Sequence, residues 1–358
     1  MLLSSTYLLC SLYKMKNRYS YYILLFSIFY LFLNGKLACF IIAEKSGRGI
    51  MTDNLVLLTE KEKGALKYNK YNPLYRLNIG CFYAQMDSIN SDELKQIMFK
   101  EKLNLHYIDS SLIYLKEAYL MYPDEPVFAL NYSLAELFKG NTVKSIDVLK
   151  SFEDIEDNIL ELQCVLGLEY EITGNDDMAT YVYSSAVTEF PVVLWSDFFE
   201  DLKKRDSLMA FSVLNTAANN LEALYDRTND PIVASKMGII AYALGEREKA
   251  ERLMMEAVNN LPSLNRPWYY LGLISEEKGD MKTALMHFKK SYSLDRNDHL
   301  PLKKLVAYEE EDAQLLILQK QNRKSEQGYR LKRIFGGRVI ENPFFVSDLN
   351  EYCRFHSD

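Results

Sequence analysis

One spacing recurs through this chain and limits what it can become. Gly140-Asn141 and Gly174-Asn175 lie 34 residues apart, and so do Gly245-Glu246 and Gly279-Asp280. The same offset carries Ser133 to Gly167, Leu149 to Tyr183, Gly238 to Gly272, Ala250 to Ala284 and Ala257 to Ser291. A period of this length means one supersecondary unit copied along the chain, each copy too small to bury its apolar face alone.

Each period holds two helical patterns separated by the glycine-polar break. Glycine ends a helix by accepting the left-handed conformation, and the prolines at Pro123, Pro191 and Pro262 mark where a following helix stops or starts, because proline cannot donate inside a helix. Small residues on the first helix (Gly167, Gly238, Gly272) and on the second (Ala179, Ala250, Ala284) let paired helices approach, while Tyr183, Met254 and Phe288 fill the space beside them. The order of large and small residues is therefore a packing code for a helix-turn-helix hairpin.

Trp268, Leu271-Gly272, Ala284 and Phe288, together with Leu166-Gly167, Tyr170, Ala179, Tyr183, Ala186 and Pro191, follow the tryptophan, leucine-glycine, tyrosine, alanine, phenylalanine, alanine, proline pattern of the tetratricopeptide repeat, a family this chain resembles. The best units are 160–193, 231–264 and 265–298, with 126–159 a weaker fourth. Around Gly80 an earlier unit is lengthened by roughly nineteen residues, largely QMDSINSDELKQIMFKEKL. Residues 195–225 fit a helix pair that has lost the signature. The resemblance implies an all-α, right-handed α-solenoid over 71–298, with capping helices at 299–322 and an irregular basic tail at 323–358.

The first 43 residues differ from the rest. Residues 19–43 are apolar apart from Asn34 and Lys36, and as a helix would reach roughly 37 Å, enough to cross about 30 Å of hydrocarbon with tilt. They are expected to form a transmembrane helix or signal anchor after a flank at 1–18, with 44–70 as a juxtamembrane linker. Lys14, Lys16 and Arg18 precede the stretch while Lys45 and Arg48 follow it, so the positive-inside bias puts the repeats on the extracytoplasmic or periplasmic side of a single-pass protein. Two rivals use the same residues: a lipoprotein signal with acylation at Cys39, giving a lipoprotein adaptor, or the last span of a larger polytopic protein.

Five cysteines without a C-x-x-C pair give neither a disulfide framework nor a zinc site. Four scattered histidines, with no H-E-x-x-H, G-x-S-x-G or G-x-x-x-x-G-K, give no catalytic, metal or cofactor constellation, and the chain is expected not to be an enzyme. A net charge of −7 argues against nucleic acid as a partner. Basic residues from Lys320 to Arg338 suit a solvated face or a contact with an anionic surface.

Solenoids bind along the surface that each unit extends. The resemblance places groove positions at Glu161, Cys164, Glu171, Ser235, Tyr242, Arg266, Tyr269 and Glu276, able to hold an extended protein or peptide partner, or a glycan. The expectation is a membrane-anchored scaffold in bacterial envelope assembly. A looser similarity of LWSDFFEDL and RPWYYLG to repeat regions of O-antigen ligase and polymerase-like proteins raises the alternative of a tail attached to envelope polysaccharide machinery.

Overall fold

The computed structural model describes residues 54–89, 91–98, 103–152, 160–296, 298–308 and 353, and among them every regular element is a helix. In chain order these are α1 (Leu55–Tyr68), α2 (Pro73–Met86), α3 (Ser91–Met98), α4 (Ile108–Met121), α5 (Pro126–Phe138), α6 (Thr142–Leu149), α7 (Leu160–Ile172), α8 (Asp176–Glu189), α9 (Asp197–Arg205), α10 (Ser207–Thr228), α11 (Pro231–Ala243), α12 (Arg247–Asn260), α13 (Asn265–Glu277), α14 (Met281–Leu294) and α15 (His299–Tyr308). Short 3-10 turns run over Lys150–Phe152 and Pro191–Trp195. Each helix packs chiefly on its hairpin partner and on adjoining units, α2 on α4 with the short α3 between them in the chain, α7 on α8, α11 on α12 and α13 on α14, which is the contact pattern of a stacked array.

The hairpin α13–α14 shows how local chemistry builds the unit. Gly279 has a φ of +79°, and the turn closes when its N–H bonds the Glu276 carbonyl at 2.9 Å and the Asp280 N–H bonds the Ser275 carbonyl at 3.0 Å. Those bonds satisfy carbonyls that the end of α13 leaves unpaired, in the Schellman arrangement. The Asp280 carboxylate then accepts from the Thr283 N–H at 3.2 Å and starts α14. Gly140, Gly174 and Gly245 close their turns in the same way.

Between the two helices of a hairpin, glycine meets the large side chain that the period predicted. Phe288 lies on Gly272, Tyr183 on Gly167 and Met254 on Gly238, so closely that a Cβ on any of these glycines would collide with the partner. Each pair is 16 residues apart. Leu115 lies on Gly80 in the same manner, 35 residues on, so the first of these hairpins carries 19 more residues, and α3 is folded from them.

Between α5, α6 and α7 the packing includes a buried polar seam. Ser133 donates to Oε1 of Glu169 at 3.4 Å, and the Ser145 hydroxyl lies within hydrogen-bond reach of both that oxygen and the Ser133 carbonyl, the latter at 2.7 Å. Oε2 of Glu169 has no hydrogen-bond partner among the described residues. Burial therefore prevails over the two serine hydroxyls and pushes this carboxyl up to about 8.

Two expectations change. Residues 55–68, read as linker, form α1: Asn54 caps the helix at the Leu57 N–H, and Thr59, Glu62 and Ala65 bury one face against α2. The single-pass localisation is corrected, since among the described residues no helix is long and apolar enough to cross a membrane. Helix α5 is buried throughout Val127–Phe138 but has only 13 residues, about 20 Å against a hydrocarbon core of about 30 Å. The longer α10 is interrupted by Asn215, Asn219 and Asn220. The stretch 19–43 and Cys39 lie outside the described residues, as do the residues beyond Tyr308 apart from Cys353.

Candidate functional site: the face of α11, α13 and α15

The first helices of the last units carry an aromatic cluster edged by charges. Trp195, at the end of its 3-10 turn, has its ring 5.5 Å from that of Tyr270 on α13 and 6.5 Å from that of Tyr242 on α11. Tyr242 and Tyr270 meet edge to face at 5.4 Å, and Tyr269 continues the contact to Phe288. Such geometry aligns ring edges with the electron-rich faces of their neighbours and holds the rings in fixed positions.

The charges along this face come in balanced pairs. Tyr242 donates to Glu277 at 2.6 Å, Arg247 bonds the other oxygen of the same carboxylate at 2.6 Å, and the guanidinium lies 3.9 Å over the Tyr242 ring. Burial raises the Tyr242 hydroxyl above its usual range, and its bond to Glu277 adds to that shift. At Glu277, burial works to raise the carboxyl, but the bonds from Arg247 and Tyr242 together hold it below the usual carboxylate value. One step along, Glu276 accepts from Lys304 at 3.1 and 2.7 Å and from the Tyr308 hydroxyl. Asp298 accepts from Asn265 at 2.9 Å, faces Arg266 at 3.5 Å and caps α15 through the Leu300 N–H.

The structure divides the candidate positions. Tyr242, Arg266, Tyr269 and Glu276 share this face, with Tyr269 nearly covered and the other three partly open. Ser235 is buried on α11. Glu161 and Cys164 are buried on α7. Glu171 is engaged elsewhere: Arg205 bonds both of its oxygens at 3.2 and 3.1 Å, and the Tyr183 hydroxyl donates to it at 3.0 Å. Trp195, Arg247, Glu277, Lys304 and Tyr308 belong to the face although the repeat pattern did not mark them. Trp195 stands where the signature is lost, and the charged residues meet across 28 to 32 positions of sequence, so only the stacking of units brings them together.

Among the described residues no group of three histidine, cysteine or acidic side chains could hold a metal ion. The face offers aromatic surface, paired charges and hydroxyls suited to holding another molecule.

No protein-family model matches the sequence, and no curated protein matches it. Solved structures similar to it include a tetratricopeptide repeat protein from Parabacteroides merdae ATCC 43184, at 15% identity over 80% of this chain and 99% of that one, with a TM-score of 0.34. Another is MamA residues 41 to the end from Desulfovibrio magneticus RS-1, at 23% identity over 49% of this chain and 97% of that one, with a TM-score of 0.26. A third is the APC/C hetero-tetramer Cut9-Hcn1, at 13% identity over 80% of this chain and 48% of that one, with a TM-score of 0.33. The architecture rests on this chain's own hairpins, whose repeated glycine turns and glycine-to-large-side-chain contacts are those of a tetratricopeptide-like array. The similarity to O-antigen ligase and polymerase-like proteins gains no support from these structures.

Proposed function

We propose that this tetratricopeptide-like array is a scaffold that holds a segment of a partner protein along α11, α13 and α15. The observation that supports it is the open aromatic and charged face there: Tyr242, Arg247, Arg266, Glu276, Lys304 and Tyr308 all retain access to solvent. Arg247, Arg266 and Lys304 are matched by Glu276, Glu277 and Asp298, so the face has no strong sign of its own. It suits a partner segment with an apolar or aromatic anchor between charges of both signs, in which the anchor supplies affinity and the charges fix register.

A displayed library of random peptides selected against the full chain tests this reading. Peptides recovered from it should bind in solution, and Tyr242→Ala combined with Arg266→Glu should weaken them at least tenfold while leaving the far-ultraviolet circular dichroism unchanged. Equal binding to the parent and the variant would reject the face as the site.

A further inference from the structure

Helices α5 and α7 are buried on every side: each residue from Val127 to Phe138 and from Leu160 to Tyr170 is shielded from solvent. In a stacked hairpin array, a first helix packs on its own second helix and on adjacent units, which leaves one stripe open. Helices α11 and α13 show that stripe, with Ile232 exposed and Tyr242, Arg266 and Glu276 partly open. By the repeat register the counterparts of Ile232 are Val127 on α5 and Glu161 on α7, and the counterpart of Tyr242 on α5 is Leu137; none of these three is more than 1% exposed, while Glu171, the counterpart on α7, stays partly open. The packing partners of α5 and α7 among the described helices, α2, α4, α6 and α8, belong to the same or adjacent units.

Cys353 gives the second observation. It is helical, 0% exposed, and belongs to the large buried cluster that runs from Leu74 to Ile240 and includes Leu130, Leu134 and Leu168. Yet the chain leaves the array at the other end through α15, whose Leu300 and Leu305 belong to a different cluster. Between Tyr308 and Cys353 the chain has returned to the earlier units. The 44 residues at 309–352 can span roughly 145 Å when extended, so reach is no obstacle.

We propose that the C-terminal segment carrying Cys353 lies along α5 and α7 as an intramolecular ligand and fills the groove of the earlier units. The sequence around it suits the role: Phe345, Leu349, Tyr352 and Cys353 fall at i, i+4, i+7 and i+8, one face of a helix, with Glu351 and Arg354 away from it. An amphipathic helix laid against a leucine-lined groove is a common mode of recognition. Here the ligand is covalently linked, so an outside segment that uses the same groove has to displace it. This goes beyond the partner face at α11, α13 and α15, which it leaves open, and does not depend on it.

Photo-crosslinking in the full chain tests the placement. With p-benzoylphenylalanine in place of Tyr352, irradiation should join position 352 to peptides from 126–138 or 160–172 within a single chain. Crosslinks to residues 1–53, to the α11–α15 units or to a second copy would overturn the proposal. A second measurement reads the competition: a labelled peptide of residues 342–358 should bind the Leu349→Asp, Cys353→Asp variant at least tenfold more tightly than the parent chain, whose groove is filled. Equal affinity, or no binding to a variant that retains its helical circular dichroism, would overturn it as well.

Discussion

Phe288 lies so close to the α-carbon of Gly272 that a Cβ built there would be 2.4 Å from the ring atom Cε1. This contact fixes how closely α13 and α14 approach. Gly272→Ala gains up to about 1 kcal/mol of helix propensity but forces the ring or the helix aside, at about 1–3 kcal/mol. The expected result is a net loss of stability in urea denaturation, partly recovered when Phe288→Leu is added to make room.

Two other glycines should respond with opposite signs. Gly64 sits inside α1, and a Cβ added to it would meet nothing within 4 Å, so Gly64→Ala should stabilise by roughly 0.5–1 kcal/mol, because alanine restricts the unfolded chain and favours the helix. Gly279 has a φ of +79° with equally open space, so Gly279→Ala should destabilise by about 1 kcal/mol through backbone strain alone. Chemical denaturation of the two variants beside the parent gives both signs in one experiment.

Glu169 makes stability depend on pH. Its carboxyl stays protonated in the folded chain up to about 8, whereas an ordinary unfolded glutamate loses its proton near 4.3. Between those values the native state holds the extra proton, so Glu169 contributes a fall in stability as pH rises through that window, levelling off above it. Glu169→Gln removes the titration and keeps an oxygen to accept from Ser133 and Ser145. The variant should lie within about 1 kcal/mol of the parent at pH 5 and exceed it by a few kcal/mol at pH 9. Melting curves at the two pH values check the sign.

The parts of the fold legible in the sequence are those made by contacts at a constant offset. Gly167 with Tyr183, Gly238 with Met254, and Gly272 with Phe288 are each 16 residues apart, and the nineteen extra residues after Gly80 reappear as the longer interval to Leu115. Helix α1 escaped notice because its buried face is Thr59, Glu62 and Ala65, two of them polar, and polar residues do not signal burial in a linear reading. Glu161 and Cys164 stand at groove positions by register, but their burial depends on what covers them in three dimensions. The pairs Arg247 with Glu277 and Lys304 with Glu276 likewise follow from stacking, which no local spacing records.

Trp195 packs against both the larger cluster of the earlier units and the cluster built around Phe288. It is one of two tryptophans in the chain, which makes the seam between the two clusters optically visible. A loosening confined to that seam would shift the intrinsic emission while the helical ellipticity, summed over every rod on both sides, would scarcely move.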